Sequence, residues 1–188
     1  SAEFANLTEE LGLLKGARKF QFEKICDQLE LRKHETILEV NLDAVVHNLN
    51  QYRSHLKSDT KIVCMVKAFG YGAGSFELAK TLQDHNVDYL AVAVADEGAD
   101  LRRQGIRVPI LVMNPEMTAF RAIIENQLEP EIYSFRLLRA FIAETEKMGV
   151  MHYPVHIKID SGMHRLGFQS HEIEQLISEL KSQNAVTV

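Results

Sequence analysis

Ile62-Val63-Cys64-Met65-Val66-Lys67-Ala68-Phe69-Gly70-Tyr71-Gly72-Ala73-Gly74 is the stretch on which the fold turns. Its first five residues are apolar without a break, as in a strand buried on both faces of a parallel sheet. The run then ends on Lys67, and glycines alternate through the loop that follows. In parallel α/β folds the carboxyl ends of the strands are where chemistry is done. A lysine there is partly desolvated, which favours the neutral amine, the form that condenses with an aldehyde to a Schiff base. The glycines allow close backbone approach to a ligand, and Tyr71 adds a donor nearby. The same residues have a plainer reading too. A strand-end lysine often snorkels to water, and this glycine spacing is neither a dinucleotide nor a P-loop fingerprint.

On the carboxyl side the strand-then-helix pattern repeats. Ser75 opens a helix to about Gln83, and Tyr89 to Val94 is the next buried strand. Asp96 is placed to cap a helix that ends before Gly105. Ile110 to Met113 follows as a strand, then a helix from about Glu116, a weak strand from Glu129 to Tyr133 and a helix from Ser134. Val155 to Ile159 reads as the fifth strand and His171 to Leu180 as its helix, while Ala185 to Val188 begins a sixth strand. On the amino side, Thr36 to Asn41 reads as a strand. Asp43 is then expected to cap a helix that turns Val45, Val46, Leu49 and Tyr52 inward. Strands beginning near residues 62, 88, 109, 130, 154 and 185 are spaced as βα units with right-handed crossovers. Periodicity alone leaves a doubly wound sheet and a (β/α)8 barrel both open. A complete barrel takes roughly 250 residues, so a barrel here is expected to be incomplete, with about five βα units and the start of the sixth strand. The pattern stops midway, as expected of a piece of a longer protein.

The bulk properties exclude several functions. The chain has 188 residues, 46% hydrophobic and 25% charged, with a net charge of -5, which is ordinary for a globular domain. Basic residues are scattered, so nothing suggests nucleic-acid binding. No membrane-length apolar run and no signal-peptide pattern is present, which points to a cytoplasmic protein. Cys26 and Cys64 have no metal or redox spacing and read as reduced, buried thiols.

Val66-Lys67-Ala68-Phe69-Gly70-Tyr71-Gly72 resembles the cofactor-lysine motif of alanine racemases. Val40-Asn41-Leu42-Asp43-Ala44 with Asn48 is similar to that family's opening strand and helix, and Ala93-Val94-Ala95-Asp96-Glu97-Gly98 to its second strand end. Lys158-Ile159-Asp160-Ser161-Gly162-Met163-His164-Arg165-Leu166-Gly167 is similar to its central strand signature. These motifs stand in the family's order over residues 36–188. The resemblance implies a TIM-type barrel, pyridoxal 5'-phosphate as cofactor, and interconversion of L- and D-alanine for peptidoglycan synthesis. It implies that Lys67 is the Schiff-base lysine and one of two bases exchanging the α-proton. Tyr71 would help to orient the cofactor, and Arg165 would hydrogen-bond the cofactor's phenolic oxygen. Lys158 matches a lysine that is carbamylated in many members, a change that would make it an anion facing Arg165. His164 departs from the family's usual small residue before the arginine. The second base is expected from a tyrosine on a β-domain of the partner subunit in a homodimer. The phosphate-binding loops are expected later in the chain, so these 188 residues alone are expected to be inactive.

Leu13-Leu14-Lys15-Gly16-Ala17-Arg18-Lys19-Phe20-Gln21-Phe22-Glu23-Lys24-Ile25 resembles the closing segment of Mur-type amino-acid ligases. This implies a boundary between a ligase tail, residues 1–33, and a partial racemase barrel, residues 34–188, as in a bifunctional ligase–racemase fusion. A non-racemising pyridoxal-phosphate-binding barrel is the alternative. No metal site is expected: His152 and His156 are four apart but read as same-side strand residues. Asp96, Glu97 and Asp100 read as helix-start acids, and Asn114-Pro115-Glu116 as a capping turn.

Overall fold

Among residues 39–67 and 75–188, which the computed structural model describes, strands and helices alternate along the chain. Helix α1 (Leu42–Ser54) precedes strand β1 (Val63–Met65), and α2 (Ser75–Asp84) precedes β2 (Tyr89–Val92). Then come α3 (Ala95–Arg103), β3 (Ile110–Val112), a 3-10 turn (Met117–Ala119), α4 (Phe120–Glu125) and β4 (Glu129–Ile132). Helix α5 (Phe135–Lys147) leads to β5 (Tyr153–Pro154) and β6 (His156–Ile157). A 3-10 turn (Ser170–Glu172), α6 (Ile173–Lys181) and β7 (Val186–Thr187) complete the described elements. The ligase-like tail, residues 36–38 of the expected first strand, Cys26, and the glycine loop with Tyr71 lie outside the described residues.

All the described pairings are parallel, in the order β1-β2-β3-β4-β6 with β5 beside β7. The expected fifth strand starts two residues early and serves two neighbours. Tyr153 and Pro154 pair with β7, whereas His156 and Ile157 pair with β4. Backbone bonds continue both ladders, from Val155 N–H to Thr187 O and from Lys158 N–H to Ile132 O. Space therefore follows sequence through six successive strand positions, with a stagger at the fifth. A doubly wound sheet would reverse its strand order, and the stagger is what a closing barrel requires. The architecture is an incomplete TIM-type barrel.

Alternation along the strands sorts the two faces. Leu90, Val92, Ile110, Val112 and Ile132 are fully buried and form a core with helix residues Ala79, Leu101, Ile123, Leu138 and Phe141. Phe141 packs edge-on to both Phe120 and Tyr153, with ring centroids 5.0 and 5.6 Å apart. Gly98 lets α3 lie close against this layer, because a Cβ there would meet Leu128 Cδ1 at 2.9 Å. The opposite, inner face carries Tyr89, Leu111, Glu129, Glu131, His156 and Lys158, each half-buried. At the amino ends of the strands, the Arg102 guanidinium donates to the carbonyls of Ile106, Val108, Asn126 and Gln127. The Tyr153 hydroxyl contacts the carbonyls of Ile123 and Leu128 at 3.0 and 2.7 Å, and burial pushes that phenol's pKa up.

Several local expectations need correction. Asn41, not Asp43, caps α1, its side chain accepting from Ala44 N–H at 3.0 Å. Residues 39–41 form no strand. Tyr52 is 72% exposed rather than buried, although it lines the same cavity as Val45 and Leu49. Asp96 does not cap α3. Glu97 reaches back instead, accepting from Ala93 N–H at 2.8 Å. His152 adopts a left-handed φ of 56° ahead of the strand, so it does not share a strand face with His156.

Candidate active site

Lys67 lies two residues past the end of β1 and is half-buried. The strand end beneath it is fixed: Val66 is fully buried, and its N–H donates to Ala91 O at 2.8 Å. The rim on which Lys67 sits is therefore tied by backbone bonding to the neighbouring strand. That is the placement the sequence predicted, an amine at the carboxyl end of a parallel strand. Tyr71, expected beside it, falls in the undescribed loop.

The carboxyl ends of β2, β3 and β4 border a cleft of 660 Å³. Its wall includes Val94, Asn114, Glu116, Tyr133 and Arg136. The turn Asn114-Pro115-Glu116, read from sequence as capping, lines this cleft, and Glu116 makes no side-chain cap bond to the turn it precedes.

Lys158 ends the fifth strand position, and its Nζ donates to Glu131 Oε2 at 2.9 Å. The side chains are only 22% and 14% exposed. One rung nearer the amino ends, His156 Nε2 meets Glu129 Oε2 at 2.7 Å. Tyr89 stands edge-on to the His156 ring at 5.6 Å, and burial and then the Glu129 carboxylate push the Tyr89 phenol's pKa up. Sequence reading singled out Lys158 and missed its partner. The signal was present in Glu129-Pro130-Glu131, where two acids two residues apart share one face of a strand. Acids facing a barrel interior need cations, and the next strand position supplies them two residues apart at His156 and Lys158.

Beyond Lys158 the chain makes a tight excursion to Phe168. Asp160 N–H donates to Phe168 O, and Phe168 N–H to Lys158 O, each at 2.9 Å. Asp160 Oδ1 accepts from the backbone N–H groups of Gly162 and His164 at 3.0 Å, and its Oδ2 lies 3.1 Å from His164 Nδ1. The backbone donor of His164, then that of Gly162, hold the Asp160 carboxyl below its ordinary range. His164 has a left-handed φ of 54°, a conformation that a small residue enters more easily. Here the contact of its ring with Asp160 helps to hold it. Arg165 follows, exposed, with no hydrogen bond or ion pair to the described residues. Lys67, the cleft, Lys158 and the Arg165 loop thus all occupy the carboxyl-end rim.

Comparison with known proteins agrees with this arrangement. The alanine racemase, N-terminal domain family matches residues 40–188. An alanine racemase of Thermodesulfovibrio yellowstonii is 36% identical over 141 residues, which is 73% of this chain and 38% of the relative. Alanine racemase 1 of Bacillus subtilis is 34% identical over 153 residues, 80% of this chain and 38% of the relative. The solved structure of an alanine racemase from Clostridium difficile 630 superposes with a TM-score of 0.74 at 39% identity, covering 81% of this chain and 41% of that one. The chain thus spans about two fifths of the length of these relatives. With its parallel half-barrel and a lysine on the carboxyl-end rim, the chain belongs to the alanine racemase N-terminal domain family.

Proposed function

We propose that the chain is the lysine-bearing part of a pyridoxal-phosphate-dependent alanine racemase that serves peptidoglycan synthesis in the cytoplasm. The observation that carries this is Lys67, a half-buried primary amine on the carboxyl-end rim of a parallel barrel. The residues suit the cofactor's chemistry. Lys67 offers a nucleophilic nitrogen, and Arg165 offers a guanidinium that no described residue engages. When bound, the cofactor supplies the electron sink that spreads the charge left as the α-proton departs.

The protein's own work is then attachment and proton handling. Lys67 Nζ would hold the cofactor covalently and would move the proton at the substrate Cα on one face. Arg165 would hold the cofactor by a charge-assisted bond to an anionic oxygen, and Tyr71 would help to orient it. The base for the opposite face is assigned to the part of the relatives' length that this chain does not span, contributed by the partner in a homodimer. On this reading the 188 residues alone do not racemise alanine. The resemblance of residues 13–25 to a ligase terminus supports a fusion with a Mur-type ligase.

Borohydride reduction of the full-length protein with pyridoxal phosphate, followed by peptide mapping, is expected to place the label on Lys67. Lys67→Ala should lose the label and at least a thousandfold in racemisation, on the order of the loss when a residue acting as nucleophile and base is removed. A label on another lysine would overturn the assignment.

A further inference from the structure

The chain around Arg165 is held largely by a single side chain two turns of the loop away from solvent. We propose that Asp160 is a positioning residue: by gripping the backbone of its own loop it fixes the point from which Arg165 reaches the cofactor, so that cofactor affinity depends on Asp160 through Arg165. The inference deepens the racemase reading and rests on it.

Both oxygens of Asp160 are engaged. Oδ1 accepts from the N–H groups of Gly162 and His164, each at 3.0 Å, and Oδ2 lies 3.1 Å from His164 Nδ1. The Asp160 side chain is only 7% exposed, although residues 161–165 are all exposed, so the loop wraps its own acid. Asp160 is seated in turn through its backbone N–H, which donates to Phe168 O at 2.9 Å. Phe168 is fully buried, edge-on to the Phe135 ring with centroids 5.1 Å apart.

Arg165 therefore stands between two fixed points. His164, immediately before it, is tied to Asp160 by its N–H and its ring. Gly167, with only Leu166 between, lies against the Asp160 backbone, where a Cβ would meet Asp160 N at 2.6 Å. His164 takes a left-handed φ of 54°, which disfavours a residue with a side chain, and the bonds to Asp160 offset that strain. The Arg165 guanidinium has no partner among the described residues. Restraint thus falls on its backbone and leaves its donors for a ligand. A loop already in its bound shape need not be ordered when the ligand arrives, which strengthens binding without any new contact. Without the Asp160 acceptor two N–H groups lose their partner, and affinity falls with the fraction of molecules that keep the binding shape.

The test is a double-mutant cycle read as the equilibrium dissociation constant of pyridoxal phosphate, from titration of the full-length apoprotein followed by the cofactor's visible absorbance. Asp160→Ala is expected to weaken binding about tenfold, as for a loop that holds its binding shape about a tenth of the time. Asp160→Asn, whose amide oxygen can still accept both N–H groups, is expected to stay within about threefold of wild type. In an Arg165→Ala background, Asp160→Ala is expected to change affinity by less than about twofold, because its effect runs through Arg165. Asp160→Leu, similar in shape and without an acceptor, serves as a second variant should alanine disturb folding, which far-UV circular dichroism monitors. An equal loss in both backgrounds overturns the proposal, since Asp160 would then act by another route. Wild-type affinity in the folded acceptor-free variants overturns it too, as does a loss in Asp160→Asn as large as in Asp160→Ala. A wild type that takes up no cofactor at Lys67 overturns the racemase reading and this one with it, so the two failures are distinguishable.

Discussion

Replacing Gly167 by alanine should damage the rim more than the same change at Gly162, and the difference can be worked out from the backbone. Both glycines have φ near the same value, +126° and +130°, a region that L side chains rarely enter. A residue held there costs about 1–3 kcal/mol, a penalty that both variants share. Both also gain the same few tenths to about 1 kcal/mol from a stiffer unfolded chain, which cancels in the comparison. The neighbours do not cancel. A Cβ at Gly162 meets nothing within 4 Å, whereas at Gly167 it lies 2.6 Å from Asp160 N and 2.8 Å from Ile159 C. Those atoms are backbone in the closing contact of the Arg165 loop and have no rotamer with which to yield. Forced shifts of this kind cost typically about 1–3 kcal/mol. Gly162→Ala should therefore destabilise by about 1–2 kcal/mol and Gly167→Ala by about 3–4 kcal/mol. Urea unfolding of the two variants and wild type, followed by far-UV circular dichroism, reads the difference directly. Equal losses, or a larger one at Gly162, would refute the idea that backbone approach at Gly167 closes the loop.

Two further outcomes follow from the described contacts. Arg102→Ala removes the donor to four loop carbonyls and should cost roughly 2–3 kcal/mol, with Arg102→Lys recovering only part because a point charge cannot span the fork; a urea midpoint unchanged from wild type would contradict it. The Asp160 carboxyl is held below its ordinary range by backbone donors. Its contribution to stability is thus complete above the unfolded value, about pH 4, and is lost as pH falls through the lower folded value. Asp160→Asn should remove that part of the acid slope, seen as a flatter dependence of the thermal midpoint on pH below about 4; an unchanged slope would show that the contacts have no such effect.

What was legible in the sequence divides along physical lines. Buried parallel strands announce themselves as apolar runs, so β2 and β3 and the position of Lys67 could be read directly. The barrel could not be told from a doubly wound sheet, because strand order is a property of long-range pairing that local periodicity does not encode. The fifth strand was blurred for the same reason, since its two ends pair with different neighbours. Helix starts were misplaced by one or two residues where several polar residues compete. Asn41 and Asp43 both suit a cap, and the residue in extended conformation, Asn41, takes the position. Tyr52 follows the period of Val45 and Leu49 and lines the same cavity, yet is 72% exposed, because periodicity gives the side a residue faces and not what covers it. Glu131 escaped notice because an acid on a strand reads as solvated until the cation across from it is placed.

The inner face also sorts the two cations of the Lys158 to Arg165 signature. An acid and a base at opposing positions on a half-buried face hold one another at close range, and their net field at a third point falls to that of a dipole. Lys158, paired at 2.9 Å with Glu131, therefore contributes little attraction to an anionic ligand on the rim. Arg165 has no such partner among the described residues, and its loop is shaped by Asp160 and Gly167 rather than by an acid paired with it. Glu131 thus restrains the strand end through Lys158, while no described residue restrains the Arg165 guanidinium in the same way.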